Sequence, residues 1–547
     1  MRGGLEKHGR YLLAGASVIG LLAASAPEAK AQQAQDLQQI QAQIQEMQAT
    51  IQALQKQVQD AKAQAAAANA TAATAGKSDL DLKVKWKGAP ELSSEDGRFK
   101  MKIRGRVEVD YNQANQDSRI TSFPDVSGTE LRRARLGVEG ILYYDWKYLF
   151  EFDLANDSVR VRDAYLEYQG FKIAEDPLLL RIGNFKTFNT FEEETSANYL
   201  DSMERTAFIS AWDIDRQIGV GTMYYADHFG LAGGIFGQRF ASTQDNPLFP
   251  GFTGDEDLTL AGRAYVDPIN RETNGVIQVL HFGGSVRNRQ AGDDQALFAY
   301  GNETGNTTRA AELRLTNAPV VTGRIGEEDT FWGLEAAALW GPLSLQGEYG
   351  QLDVELPTGP FVRNNPPGPN QLTTIANPFI GVPDPTFTGW YAEATWFFGG
   401  HKTYEKGGRW GRPKVDNPMF HGSGGWGALE LVGKYDVLDQ SDTAFNNAGG
   451  CRLTRLYPGL SATTSGTPPV SSLAANQVPL CGEMDTWVVG VNWWMTEYVK
   501  LMFQYSDSEL SNYPIFVAAN AGLPPGTNNV FDGAHIRGFG MRMHVDW

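Results

Sequence analysis

From Lys100 to Asp110 the charged residues Lys100, Lys102, Arg104, Arg106, Glu108 and Asp110 occupy one parity. Phe99, Met101, Ile103, Val107, Val109 and Tyr111 occupy the other, with only Gly105 between them. Successive side chains of a strand point to opposite faces, so this segment has one charged face and one apolar face. The chemistry such a face offers is reversible attraction: a guanidinium is a planar fork that makes paired hydrogen bonds to phosphate or carboxylate. Bond-breaking chemistry finds no comparable set. His8, His228, His281, His401, His421, His535 and His544 are scattered without metal-ligand spacing, no Ser/His/Asp order stands out, and nothing calls for a cofactor. An enzyme is therefore not expected.

The alternation recurs elsewhere. Phe539, Met541, Met543, Val545 and Trp547 alternate with Gly540, Arg542, His544 and Asp546, and Trp146, Tyr148, Phe150, Phe152 and Leu154 alternate with a parity containing Lys147, Glu151 and Asp153. A sheet closed on itself in a membrane shows this pattern, apolar toward lipid and polar toward the lumen. On that reading the lumen receives Lys100, Lys102, Arg104 and Arg106 from the first strand, Arg133 and Arg135 from the second, and Lys500, Arg542 and His544 from the last two. Since the last strand closes on the first, these predict one contiguous basic wall. Glu139, Glu151, Asp153, Asp163 and Glu167 also point inward, so the lumen is expected to have a basic side and an acidic side. Three outcomes stay open: charges that only pair with one another across strands, an anion-preferring passage, or a specific phosphate site.

The chain of 547 residues suits several soluble domains or one large barrel. Mean hydropathy is -0.34, which inward polar residues of a barrel would produce. The net charge of -17 argues against nucleic acid as a partner. Arg2, Lys7 and Arg10 precede an apolar stretch from Tyr11 to Ala24, and Ala29-Lys30-Ala31 has a small-x-small cleavage form, so residues 1–31 read as a signal peptide. Beyond it there is no apolar run long enough for a spanning helix, which needs about 20 residues. A membrane-integral chain must then be a closed barrel. Export suits a disulfide between Cys451 and Cys481, the only cysteines.

Leu37, Ile44, Ile51 and Val58, with Ile40, Met47, Leu54 and Ala61, form a heptad seam, so residues 32–75 predict an α-helical coiled coil and an Ala-rich tether. Residues 95–547 predict an all-β, antiparallel transmembrane barrel of sixteen strands, the first near 99–112 and the last near 534–547. With the N-terminus in the periplasm, tight periplasmic links (144–145, 227, 341, 496–497) alternate with long outer ones (113–129, 187–213, 240–256, 289–329, 356–386, 439–484, 510–533). The exceptions are a short outer link at 156–158 and a long periplasmic one at 399–425; the run 309–315 is assigned to a loop.

Leu131-Arg132-Arg133-Ala134-Arg135-Leu136-Gly137-Val138-Glu139-Gly140, then Asp145-Trp146-Lys147-Tyr148, Asp163-Ala164-Tyr165-Leu166-Glu167-Tyr168, Arg181-Ile182-Gly183-Asn184-Phe185-Lys186, Met203-Glu204-Arg205 and Val491-Asn492-Trp493-Trp494 together resemble the phosphate-selective porin family of Gram-negative outer membranes. The resemblance implies a homotrimer of sixteen-stranded outer-membrane barrels, in contact with lipid and lipopolysaccharide, that pass small hydrophilic or anionic solutes. It also implies a third outer loop folded inward to narrow the passage. In this chain that loop carries Glu192, Glu193, Glu194, Tyr199, Glu204 and Arg205. Three adjacent carboxylates at a constriction would oppose phosphate, unless they sit at a helix start as charge partners of its N-terminus. The coiled coil would be a periplasmic extension. The alternative from another class is a structural outer-membrane protein whose coiled coil tethers the envelope through the cell wall.

Overall fold

The structure, a computed structural model, describes residues 45, 49–50, 52–64, 82–117, 125–155, 159–212, 214–237, 258–291, 298–301, 321–358, 361–364, 372–375, 377, 379–419, 422, 424–450, 481–512 and 532–547. The signal-peptide reading, most of the heptad, Cys451 and the run 309–315 lie outside them. Two compact units divide at Asp81. In the first, residues 52–64 form a helix, α1, with the heptad residues Leu54 and Val58 exposed.

The second unit is built on a barrel. Its strands are β3 (Lys100–Gln116), β4 (Val126–Leu142), β5 (Trp146–Asp153), β6 (Arg160–Ile173), β7 (Asp176–Lys186), β8 (Arg216–Tyr225), β9 (Phe229–Phe236), β10 (Leu258–Thr273), β11 (Val276–Gln290), β14 (Glu328–Trp340), β15 (Leu343–Glu355), β18 (Thr386–Phe398), β21 (Ala428–Asp439), β22 (Glu483–Thr496), β23 (Val499–Ser511) and β24 (Ala534–Asp546). Each pairs antiparallel with the next, and β24 closes on β3 from Ile536↔Gln116 to Asp546↔Arg106. Closure leaves no strand edge, so the backbone polar groups are satisfied within the wall. Gly105, the gap in the apolar parity of β3, is covered by the ring of Trp547, which a Cβ there would meet at 2.0 Å.

The alternation behaves as expected on the outside: Val107, Val109, Leu136, Phe150, Val286, Leu334, Trp487 and Phe539 are all exposed. Links alternate in length as well. At the short-turn end Asn274 and Gly275, both at positive φ, join β10 to β11 in two residues. A hairpin of β1 (Leu82–Lys87) and β2 (Ala89–Ser94) extends the sheet at that end by pairing β2 with Lys100–Lys102. At the long-loop end two small hairpins occur, β12 (Phe298–Gly301) with β13 (Val321–Gly326) and β16 (Phe361–Asn364) with β17 (Leu372–Ile375).

The inner face is not uniformly polar. On β14, β15, β18, β22 and β23 the inward residues Phe331, Leu352, Phe387, Met484 and Leu510 are buried and belong to one apolar cluster. These strands are apolar on both faces near the long-loop end because something inside the barrel covers them.

Candidate functional site

Two β-bulges decide which arginines enter the lumen. β3 and β4 pair regularly as far as Glu108↔Arg133, and the next pair is Val109↔Leu131. Arg132 is the extra residue, and the bulge turns it inward beside Arg133. β5 and β6 repeat the device: Glu151↔Asp163 is followed by Phe152↔Val161, leaving Arg162 extra. Both arginines end on carboxylates of the link between β7 and β8, residues 187–215, the third link at the long-loop end. Arg132 donates to Glu204 through Nε and Nη2, at 2.9 Å each, and Arg162 Nη2 lies 3.2 and 3.3 Å from the Asp215 oxygens. Strict alternation puts both outside. The signal that finds them is adjacency, since Arg132-Arg133 and Arg162-Asp163 place two charges side by side in strands that otherwise alternate.

That link folds into the barrel. It contains two short helices, α2 (Phe191–Glu194) and α3 (Ala207–Ala211). The backbone N–H groups of Phe191 and Glu192 donate to Glu348 of β15 at 2.9 and 2.7 Å, and that of Ala207 donates to Asp436 of β21 at 2.9 Å. Phe208 and Trp212 pack on Phe331, Leu352 and Phe387, the apolar inward residues of the far wall. Gly389 makes this approach possible, because a Cβ there would lie 2.6 Å from Phe208 Cβ. The three carboxylates of α2 do not form an open acidic ring. Glu192 pairs with Lys434 at 2.9 Å, Glu193 with Arg205 at 2.7 Å, and Glu194 lies 3.8 Å from Arg409. Glu204 is buried, which raises its carboxyl, but Arg132 and Arg542 beside it hold it well below the usual carboxylate range.

The long link between β18 and β21 also turns inward, from the short-turn end. It forms a hairpin of β19 (Gly400–Glu405) and β20 (Arg409–Val415). Lys402 is buried against Asp201 of the third link and Trp410 against Phe191, and the half-buried Arg412 pairs with Asp546. Lys406 at the tip reaches Asp176 and Asp227, at 2.7 and 2.8 Å, across the barrel from the strands that carry the hairpin. Sequence alone marks this link only as long.

The third link and this hairpin fill one side of the lumen, and a cavity of about 640 Å³ remains along β3 to β8. Sixteen basic and eleven acidic side chains line it, a positive surplus inside a chain of net charge -17. Lys102, Arg104, Arg106, Arg133, Arg135, Glu139, Glu151, Asp153 and Asp163 face it, as does Tyr199 under the Arg412 guanidinium. The basic wall is not contiguous. Lys100 is exposed at the short-turn rim, and Lys500, Arg542 and His544 lie buried behind the third link. Lys500 donates to the Leu200 carbonyl at 2.9 Å, Arg542 holds Asp110, and His544 lies 3.1 Å from Glu108.

Nor do basic and acidic sides oppose each other. The acidic residues interleave with the basic ones on neighbouring strands: Arg104 contacts Glu139 and Glu151 at 3.1 and 3.2 Å, and Arg135 contacts Asp153 at 2.9 Å. Arg133 pairs with Glu108, Arg181 with Glu167, and Arg216 with Asp163. Arg106 differs from all of these. It stands opposite Arg135 in the β3–β4 register, is 4% exposed, and its Nε and Nη1 have no partner among the described residues.

Cys481 is disulfide-bonded. Among the described residues no group of three or more His, Cys, Asp or Glu side chains has the geometry to hold a metal ion.

A family model described as phosphate-selective porin O and P matches residues 101–513. An uncharacterized protein of Caulobacter vibrioides is 30% identical over 379 residues, covering 67% of this chain and 66% of that one. Porin O of Pseudomonas aeruginosa is 29% identical over 299 residues, covering 49% of this chain and 62% of its own. The chain thus spans just under two thirds of the length of each of these relatives. An anion-selective porin from Comamonas acidovorans superposes with a TM-score of 0.44 at 11% identity, over 82% of this chain and all of that one.

Proposed function

The chain belongs to the phosphate-selective porin O and P family, and from that premise we propose that it is an outer-membrane porin through which small hydrophilic solutes diffuse passively, with a preference for anions such as phosphate. The observation that carries the anion preference is Arg106. Its buried guanidinium faces the cavity with two N–H groups unused, while the neighbouring arginines already hold carboxylates. The carboxylate that feels its charge, Glu151, is already held by Arg104 and Arg135, so Arg106 adds to the positive surplus of the lining, and such a surplus in a narrow, low-dielectric passage raises the local concentration of anions. The partnered arginines would hold a passing anion only weakly, which conduction requires, since a site must release what it binds.

In this reading the long loops face outward, the short turns and the 400–415 hairpin face the periplasm, and the barrel assembles as a homotrimer with α1 in a periplasmic coiled coil. The test is the reversal potential of reconstituted protein in a planar bilayer under a salt gradient. A potential of the anion-selective sign supports the reading. A cation-selective sign overturns the preference and leaves the porin.

A further inference from the structure

The 400–415 hairpin crosses the barrel's short-turn end and bounds the cavity, yet its sequence has no long apolar stripe to fasten it. Besides the apolar seats of Trp410 and Val415 and the ion pairs of Lys402, Lys406 and Arg412, a polar set of contacts holds it at His281 of β11, which is wholly buried. Nδ1 of His281 lies 2.8 Å from Asp267 Oδ1 of β10, and Nε2 lies 3.0 Å from Glu335 Oε1 of β14. The hairpin's Tyr404 donates its hydroxyl to the same Asp267 oxygen at 2.7 Å and touches His281 Nδ1 at 2.8 Å. Arg263 of β10 holds Glu335 at 2.9 Å and donates to the carbonyls of Gly407 and Gly408 at the hairpin tip, at 2.7 and 2.6 Å. Tyr265 of β10 accepts from the Gly407 N–H at 2.9 Å.

A ring nitrogen with a carboxylate on each side is satisfied only when both nitrogens carry protons. In that state the buried charges balance, His281 and Arg263 against Asp267 and Glu335. Loss of the Nδ1 proton sets a lone pair against Asp267 at 2.8 Å and leaves a net negative charge sealed from water, where it is costly. Tyr404 has one proton and can then satisfy Asp267 or His281, but not both.

We propose that His281 is a protonation-dependent latch: its charged form clamps the 400–415 hairpin across the barrel, and its neutral form releases it, widening the passage. The groups facing His281 are Asp267, Tyr265 and Arg263 from β10, Glu335 from β14 and Tyr404 from the hairpin, with the Phe191 ring of α2 tilted against it at 5.0 Å. The consequence for conductance rests on the porin reading; the release of the hairpin does not.

The test uses the full chain. Backbone hydrogen exchange of residues 400–415, corrected for intrinsic rates, and single-channel conductance are followed from about pH 5 to about pH 10, bracketing the ordinary histidine value near 6.5. Exchange in the hairpin and conductance should step up together as pH rises, and His281→Gln should lose the step. Tyr404→Phe keeps the histidine and removes the hairpin's hydroxyl, so its hairpin should exchange fast at every pH. If His281→Gln does not fold, Tyr404→Phe decides. Flat hairpin exchange in the wild type, a step that survives in His281→Gln, or unchanged protection in Tyr404→Phe would overturn the latch. Absence of any conductance would remove the porin reading while the exchange data still judge the hairpin.

Discussion

Arg132 and Glu204 meet through two parallel N–H···O contacts of 2.9 Å, and Arg542 reaches the same carboxylate at 2.8 Å. One glutamate of the third link therefore ties down an arginine that a bulge turned inward and another from the closing strand. Replacing it by Gln keeps the shape and removes the charge. Breaking a buried pair by removing one partner costs roughly 3–5 kcal/mol, and the slight exposure of this one places Glu204→Gln at the lower end. Denaturant unfolding in detergent should show that loss, and reversal potentials should move further toward anions because the cavity lining loses a negative charge while Arg132 stays.

The same residue sets an acid limit. Burial raises Glu204, but Arg132 and Arg542 outweigh it and keep its folded value well below the ordinary range. A depressed carboxylate contributes stability above its unfolded value, about 4.3 for glutamate, and that contribution is lost as pH falls through the folded value. The third link should therefore stay anchored at mildly acid pH and loosen only in stronger acid, read as hydrogen exchange across residues 196–206. Glu204→Gln should lack this acid step.

Arg106 and Arg133 sit on paired strands but predict opposite phenotypes. Arg106→Gln removes a charge whose Nε and Nη1 hold no carboxylate, so anion selectivity should fall while stability changes by less than about 1 kcal/mol, as for changes that break no buried network. Arg133→Gln leaves Glu108, fully buried, without its main partner, and should cost several kcal/mol. An equal loss of selectivity in both with equal stability would contradict the distinction.

The strands were legible in the sequence because alternation is a local property. The first and last barrel strands, Lys100–Gln116 and Ala534–Asp546, fall within a few residues of their expected places, and the parity of β3 alone separates Val107 and Val109 outside from Arg106 and Glu108 inside. What alternation cannot carry is a break in itself or a partner from far along the chain. Arg132 and Arg162 needed the bulges, and the burial of Lys500 and Arg542 depends on a link some 300 residues away in sequence. The apolar inward residues Phe331, Leu352 and Phe387 were visible as hydrophobic, but only the docked Phe208 and Trp212 give them a reason.

Phe208 reaches its seat among Phe331, Leu352 and Phe387 because the wall beneath it carries glycines. A Cβ on residue 389 would lie 2.6 Å from Phe208 Cβ, and one on residue 350 would lie 3.0 Å from the Trp212 ring and 3.1 Å from that of Phe208. Side chains in a close-packed interior cannot absorb such overlaps without moving. The β-sheet hydrogen bonds of β15 and β18 hold their backbones in place, so α3 is the element that shifts, away from the far wall and into the cavity. Gly389→Ala should thus lower single-channel conductance while leaving the sign of selectivity unchanged, since Arg106 lies on the opposite wall. Unaltered conductance in a folded Gly389→Ala protein would mean that α3 does not limit the passage.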